Sequence, residues 1–317
     1  GTTMVSGFKG RLKGLSASCR GGRLPEILLG ILLAYLPVTA QAVDVLPVFE
    51  LDGDPYVSIY DDAVSVSGGV SSARVSVFQS DDYTTDDNFD ISIYTGGLSK
   101  DNFDVPNWKS SSGNLQAKND LVNSFLAAYT YKGAATGVHQ QDDAVFYMGA
   151  TIAPGTGQAA LSFWLFQDPA VAAVPNSNWV GAHVVGDVLI QADIDSNQNV
   201  IVSAYLWDTA APDNLRLIAS GVNCTGDPTD AICGVANTNP LTTPSGWDYP
   251  SASLTEGKYI EVGINLSAVL RSQGIPIGCY ANAGFSTRSS QSKTATLSDY
   301  SLSAFESCGF AIVKDGD

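Results

Sequence analysis

Alternation of polar and apolar residues along much of the chain is the feature that most limits its fold. Residues 63–67, 74–78 and 91–94 alternate strictly, which is the pattern of a strand with one face in a core and the other in solvent. Residues 145–152 and 159–166 are apolar more continuously, which predicts central strands buried on both faces. The chain is therefore expected to fold as a β protein.

Turn-forming residues separate the predicted strands. A stretch rich in glycine at 153–157 joins the two apolar strands. The Asp- and Asn-rich stretch 193–198 indicates a hairpin turn between strands at 184–192 and 199–207. Later strands are predicted at 215–219, 259–264, 277–287, 294–305 and 310–313.

Few helices are predicted. Leu121, Phe125 and Tyr129 recur every four residues within 120–129, as on one face of a helix. Asn265 is placed to cap a short helix over 266–271. Many short strands and few short helices predict an all-β fold, a β-sandwich or jelly roll of two antiparallel sheets.

Residues 1–42 have the three parts of a secretory signal peptide. Residues 4–23 include basic residues and no acidic residue, and an apolar run follows at 27–36. Ala40-Gln41-Ala42 then has the small residues of a signal-peptidase cleavage site. Residues 1–3 precede the first methionine and have the character of an upstream remnant. The apolar run is too short for a transmembrane helix, so a secreted or cell-surface, extracellular protein is expected, with an uncleaved membrane anchor as the alternative.

The rest of the chain is expected to form one β-sandwich domain over 43–309. Residues 310–317 are either its last strand or the start of a following module. Four cysteines lie after the leader: Cys224, Cys233, Cys279 and Cys308. An even number in an exported chain favours disulfides. Three connectivities exist and the sequence does not decide among them; we favour Cys224–Cys233, which closes a short polar loop, with Cys279–Cys308, which ties two late strands.

The charge balance excludes several partners. The net charge is −16, and the acidic residues are 27 Asp against only 5 Glu. This argues against nucleic acid, whose phosphates need Lys and Arg, and against a basic membrane-binding patch. The chain has no G-x-S-x-G, H-E-x-x-H or Walker motif. No catalytic residue is predicted, although enzymatic activity stays open.

Calcium is a chemically reasonable partner for clustered aspartates. Asp193, Asp195, Asn197 and Asn199 place oxygen ligands two residues apart, as in a loop that binds a hard cation. The stretch lacks the glycine and the distal glutamate of an EF-hand, and an ordinary hairpin turn is the alternative. A second acidic loop, containing Asp81, Asp82, Asp86, Asp87 and Asp90, has a less distinctive spacing.

Aromatic and cationic side chains suggest a ligand site. Trp108, Trp179 and Trp247 lie in polar stretches rich in Pro, Asn and Gly, where an exposed indole can stack on a sugar ring; covering the end of a sandwich is the alternative role. Arg288 follows an apolar strand and can bind a carboxylate or backbone carbonyls, or tie acidic loops together.

Several stretches together resemble a known kind of domain. They are 96–108 with 118–129, 146–149 with 160–166, 186–190 before the strand of Trp207, and 287–300 before Cys308-Gly309. Over roughly residues 48–310 the chain resembles an uncharacterised extracellular domain of bacterial surface proteins. Such domains often precede immunoglobulin-like, prealbumin-like or SpaA-type adhesin modules. The resemblance implies a concanavalin-like jelly roll and favours a following module after 309, and it brings no catalytic residue.

Three functions are compatible with these patterns. The first is a secreted or surface-displayed binding or adhesion module, for glycans or other surface proteins, stabilised by calcium. The second is a glycan-active hydrolase or lyase on a jelly-roll scaffold, which needs two carboxylates about 5–10 Å apart. The third is a structural surface or matrix component that assembles with itself or its neighbours.

Overall fold

The computed structural model describes residues 43–45, 49–51, 53, 75–81, 89–131, 133–195, 197–224 and 227–307. The predicted signal peptide 1–42, the strand predicted at 63–67, Cys308 and residues 310–317 lie outside these ranges. Within them, no helix is both long and apolar enough to cross a membrane.

The described residues form mainly β-strands. In chain order these are β1 (Val43–Val45), β2 (Phe49–Leu51), β3 (Val75–Ser80), β4 (Phe89–Thr95), β5 (Lys109–Asn114), β6 (Leu121–Thr130), β7 (Ala144–Ile152), β8 (Ala160–Phe166), β9 (Val188–Ile194), β10 (Val200–Trp207), β11 (Leu215–Val222), β12 (Ile232–Ala236), β13 (Leu241–Thr242), β14 (Ser253–Leu254), β15 (Tyr259–Asn265), β16 (Asn282–Arg288) and β17 (Leu297–Ala304). One α-helix, α1 (Leu266–Ser272), and 3-10 turns at Val105–Asn107, Ala117–Asn119 and Pro212–Asn214 complete the described secondary structure.

Two large antiparallel sheets face each other. The large sheet has eight strands in the order β11-β10-β9-β8-β16-β17-β4-β5, and the small sheet has five in the order β12-β15-β7-β6-β3. Two short hairpins, β1-β2 and β13-β14, are separate. The prediction of an all-β sandwich with few short helices is confirmed.

Apolar side chains form three layers. The layer between the sheets includes Leu126, Phe146 and Phe163. Phe125 and Tyr259 belong to a second cluster on the outer face of the small sheet. A third cluster covers the outer face of the large sheet, and we call it the outer aromatic layer; its buried members are Tyr94, Val105, Trp108, Trp164, Phe166, Val171, Trp179, Leu189, Trp207, Leu215, Leu297 and Tyr300.

The helix predicted at 120–129 is wrong, because this segment is strand β6. A spacing of four residues is also an even spacing, so it fits one face of a strand as well as one face of a helix. β6 pairs with β3 on one side and β7 on the other, and its first eight residues are buried. Burial on both faces therefore explains the dense apolar pattern.

The short helix is confirmed at α1. The side chain of Asn265 accepts a hydrogen bond of 2.8 Å from the backbone N–H of Ala268, which is the expected N-cap interaction. The hairpin turn predicted at 193–198 is also confirmed, since β9 and β10 pair as antiparallel neighbours on either side of it.

The disulfide Cys224–Cys233 is present, with a Cα–Cα distance of 5.0 Å. Cys224 follows β11 and Cys233 lies in β12. These are edge strands of the large and the small sheet respectively, so the bond fastens the two sheets along one margin. Cys279 is exposed, and its predicted pairing with Cys308 stays a prediction because Cys308 lies outside the described residues.

Candidate functional site

A row of polar side chains crosses the outer face of the large sheet. We call it the polar row; its members, on six adjacent strands from β17 to β11, are Tyr300, Ser286, Ser162, Gln191, Ser203 and Ser220. On β8 and β9 they alternate with Leu161, Phe163 and Ile190 of the layer between the sheets. The row therefore faces away from the central core.

Exposure increases along the row from β8 to β11. Ser162 is 0% exposed and Gln191 is 3% exposed. Ser203 is half-buried, and Ser220 on the edge strand β11 is exposed. The row thus runs from the interior to solvent, and its open end lies on β10 and β11.

A covering layer, formed by residues 96–108 and 167–187 and called here the roof, closes the buried end. Its apolar residues Trp108 and Trp179 pack in the outer aromatic layer. Its Asp101 is fully buried and accepts hydrogen bonds from Ser162 Oγ at 2.6 Å, Trp164 Nε1 at 2.8 Å and Gln191 Nε2 at 2.8 Å. A buried carboxylate with three donors is well satisfied, so Asp101 fixes the roof on the polar row.

Asp193 and Arg288, which sequence reasoning selected for different reasons, contact each other. Arg288 Nη2 donates to Asp193 Oδ1, and Nη1 donates to the carbonyl of Ser292 at 2.9 Å. The two residues lie beside the polar row, since Asp193 is two positions from Gln191 on β9 and Arg288 is two from Ser286 on β16. Burial, with a smaller contribution from the charge of Asp101, raises the pKa of Asp193 to about 6 against the opposing effect of Arg288.

The other three residues predicted to bind calcium with Asp193 form a hydrogen-bonded turn. Asp195 Oδ1 accepts from the backbone N–H groups of Asn197 at 2.7 Å and Asn199 at 2.9 Å. Asp195 Oδ2 accepts from Asn199 Nδ2 at 3.0 Å, and Asn199 Oδ1 accepts from Asn223 Nδ2 at 2.7 Å. The carboxylate oxygens of Asp195 thus serve the turn, as in the hairpin alternative, and the side-chain oxygen of Asn199 is bound to Asn223, which follows β11.

The three tryptophans predicted as candidates for sugar stacking are buried, which is the covering role given as the alternative. Trp108 is 0%, Trp179 is 3% and Trp247 is 9% exposed. Trp108 and Trp179 pack against each other with ring centroids 5.4 Å apart. Trp247 packs on the outer face of the small sheet, 5.9 Å from Tyr259. Large indoles stabilise a sandwich more when they are buried in its covering layers.

Aspartates from distant parts of the chain come together where the end of β3 meets β4 and β17, and we call them the aspartate cluster. Carboxylate oxygens of Asp81, Asp90 and Asp299 all lie within 4.8 Å of one another. Asp81 follows β3, whereas Asp90 is in β4 and Asp299 is in β17. Strand pairing brings Asp299 opposite Ile93 of β4.

Hydrogen bonds fix these carboxylates. Asp299 Oδ2 accepts from the backbone N–H of Leu121 at 2.6 Å, and its Oδ1 accepts from that of Tyr300 at 2.7 Å. The hydroxyl of Ser92 lies 2.7 Å from Asp81 Oδ1 and 2.6 Å from Asp90 Oδ1. Its single proton serves one carboxylate at a time.

Burial makes ionisation of Asp299 unfavourable. Burial raises the pKa of Asp299 well above its usual range, and the charges of Asp81 and Asp90 raise it further. Burial, with the charge of Asp90, raises the pKa of the neighbouring Asp120 to about 7. Such a group holds protons or a cation. Calcium, which takes carboxylate oxygens in flexible geometry, is chemically suited to it.

Sequence reasoning missed Asp101, Gln191 and Asp299 as site residues. Asp101 and Asp299 looked like ordinary turn or strand-end aspartates, and Gln191 sits within an apolar strand. Their roles depend on contacts between residues far apart in sequence. Asp101 and Trp164 are separated by 63 residues, and Leu121 and Asp299 by 178 residues. The isolated polar residue in a buried strand, Gln191, was the one local signal.

No known family model matches this chain, and none of the curated proteins or solved structures compared with it matches either. The resemblance to an extracellular surface-protein domain, with its concanavalin-like topology, therefore stays a prediction.

Proposed function

We propose that the chain is a secreted or surface-displayed binding module whose ligand face is the outer face of the large sheet. One observation carries the proposal, namely that the polar row continues from beneath the roof to solvent on β10 and β11. Ser162 and Gln191 of the row find their partner in Asp101 of the roof, whereas Ser203 is half-buried and Ser220 is exposed, so the solvent end of the row is the part that a ligand can use.

Glycans are the ligands that this surface fits best. Its open part carries the hydroxyls of Ser203 and Ser220 beside the exposed side chains of Ile201, Leu217 and Val222. Hydroxyls exchange hydrogen bonds with sugar hydroxyls, and aliphatic groups pack on the apolar face of a sugar ring. The predicted leader and the acidic composition agree with an extracellular setting.

Calcium has a structural role in this proposal, and the aspartate cluster is its site. A cation there would neutralise Asp81, Asp90 and Asp299 together and join β3, β4 and β17. Asp193–Asn199, the stretch first predicted to bind calcium, is less suited because the carboxylate oxygens of Asp195 accept hydrogen bonds within the turn and the side-chain oxygen of Asn199 accepts one from Asn223.

A glycan array probed with residues 43–317, in calcium and in EDTA, tests the function. We expect binding to a restricted set of glycans, weaker in EDTA because the cation stabilises the fold. An array without signal in both conditions would remove glycans as the ligand.

A further inference from the structure

His139 lies where three segments of the chain meet. It is fully buried and belongs to residues 133–143, which lie between β6 and β7. In this loop the N–H of Val138 donates to the carbonyl of Pro228 at 3.2 Å, and Pro228 belongs to the loop that the disulfide closes, called here the disulfide loop. The imidazole also reaches α1, since His139 Nδ1 lies 2.9 Å from Nδ2 of its N-cap residue Asn265.

Hydrogen bonds decide which nitrogen of His139 carries the proton. Asn265 Oδ1 accepts from the backbone N–H of Ala268 at 2.8 Å, so the other end of this amide is the donor group. Asn265 Nδ2 also donates to Asp143 Oδ2 at 2.9 Å, which requires the same orientation. His139 Nδ1 is therefore an acceptor, and the ring is assigned as neutral with its proton on Nε2.

A protonated His139 does not fit this arrangement. Its Nδ1 would carry a proton directed at the N–H group of Asn265, so two donors would meet at 2.9 Å. Turning the Asn265 amide would place its oxygen beside the carboxylate of Asp143 and remove the N-cap bond to Ala268. Protonation of one imidazole therefore weakens the start of α1 together with the attachment of the loop 133–143.

Charged and titratable side chains surround the imidazole. They are Asp143 in the same loop, Arg271 in α1, Asp230 in the disulfide loop and Tyr131 after β6, and β2 adds the apolar Phe49. Burial is the largest effect and lowers the pKa of His139, with Arg271 adding to it and the two aspartates opposing it. Arg271 also holds Asp143 with two hydrogen bonds, of 2.6 and 3.1 Å, so this carboxylate is already paired.

We propose that His139 is an acid-sensitive switch, which holds the loop between β6 and β7 on α1 while the ring is neutral and releases the loop when the ring takes up a proton. In the released loop the imidazole is solvated and its pKa returns to about 6.5. The attachment is therefore constant above about pH 6.5 and weakens as the pH falls below that value. Release also separates Val138 from Pro228, so it loosens the disulfide loop. The switch is independent of the proposed ligand face.

Hydrogen exchange of residues 43–317, followed by NMR at about pH 7.5 and about pH 5 and corrected for the intrinsic rate of each amide, tests the switch. The informative amides are those of His139, Asp143 and Ala268, which donate hydrogen bonds within the loop and at the N-cap. We expect their protection to fall by about threefold or more at the lower pH, whereas the protection of amides in β8 should not change.

His139→Gln is the main variant, because glutamine offers an acceptor oxygen to Asn265 and does not titrate in this range. We expect it to keep the protection seen at about pH 7.5 and to lose the fall at about pH 5. His183→Gln is the matched control. His183 is the other histidine of the chain and lies beside the outer aromatic layer, with its ring centroid 4.2 Å from that of Trp164, so this variant should retain the fall.

Each outcome decides for or against the switch. Unchanged protection in the unmodified chain at about pH 5 would overturn it, and so would an equal fall in His139→Gln. Should circular dichroism show that His139→Gln is unfolded, the ¹⁵N shifts of the imidazole in the unmodified chain decide. A neutral ring with its proton on Nε2, whose titration accompanies the loss of protection, supports the switch. A proton on Nδ1 at about pH 7.5, or titration without loss of protection, contradicts it.

Discussion

At the scale of single residues, burial decides the chemistry of the carboxylates. Asp101 is stabilised by three donors, and Asp193 by one guanidinium. Asp120 has no side-chain hydrogen bond within the described part of the chain, and burial raises its pKa to about 7. The folded state therefore resists ionisation of Asp120, whereas in the unfolded chain the carboxyl has its ordinary pKa of 3.8.

Asp120→Asn is expected to stabilise the fold at pH 8 and not at pH 4. Because the pKa of Asp120 is raised in the folded state, its ionisation does not lower the free energy of unfolding below about pH 4. Between about pH 4 and pH 7 the free energy of unfolding falls increasingly, and above about pH 7 the loss is constant. After allowance for solvent screening, urea denaturation in EDTA is expected to show a gain of roughly 1–3 kcal/mol at pH 8. The exposed Asp248→Asn is the control, and an equal effect of Asp120→Asn at both pH values would contradict the account.

At the scale of elements, alternation predicted the strands that are exposed on one face, and continuous apolar runs predicted β7 and β8, which are central strands of the small and the large sheet respectively. The prediction from the sequence pattern was wrong at β6, because a spacing of four residues fits a helix and a strand equally well. This segment forms a strand because it pairs with β3 on one side and with β7 on the other. β5 and β12 were not predicted, because Lys109–Asn114 is polar throughout and Ile232–Ala236 is short.

The candidate site was predicted only in part, for a physical reason. Arg288 and Asp193 stood out by charge in their local sequence, but their contact depends on the register of β16, β8 and β9. The polar row depends on the register of six strands, and single serines in separate strands carry no local signal. The polar sequence around Trp108, Trp179 and Trp247 suggested exposed indoles, although the hydrophobic effect favours burying their large apolar area in the covering layers.

The disulfide at the margin between the sheets is expected to contribute substantially to stability. Its sequence separation is 9 residues, for which chain entropy predicts about 2–3 kcal/mol. The double variant Cys224→Ala/Cys233→Ala should lower Tm by about 5–10 °C in a calorimetric scan. An unchanged Tm would show that the bond does not restrain the margin between the large and the small sheet.

At the scale of the whole molecule, aromatic and aliphatic layers cover the central parts of both outer sheet faces. The margin at β10 and β11 is the open part of the large sheet's outer face, and it carries Ile201, Leu217 and Val222 as exposed apolar residues. The aspartate cluster joins the end of β3 to the strands β4 and β17, and couples the stability of the sandwich to any cation that the cluster holds.

Calcium is expected to raise the Tm of the folded chain. At a calcium concentration about 100 times its Kd, binding adds about 2.7 kcal/mol, equivalent to roughly 5–10 °C. Asp299→Asn should abolish this increment, whereas Asp195→Asn should leave it unchanged. The reverse result would place calcium at the hairpin turn between β9 and β10, and no increment in any variant would contradict a calcium site.

The most direct test of the ligand face is a map of amide chemical shifts of residues 43–317 during titration with a bound glycan. The account predicts that the perturbed amides cluster at Ser203, Tyr205, Leu217 and Ser220, with a further change at Asp193. Perturbation confined to the outer face of the small sheet, or to the exposed valines at 180–185, would contradict it.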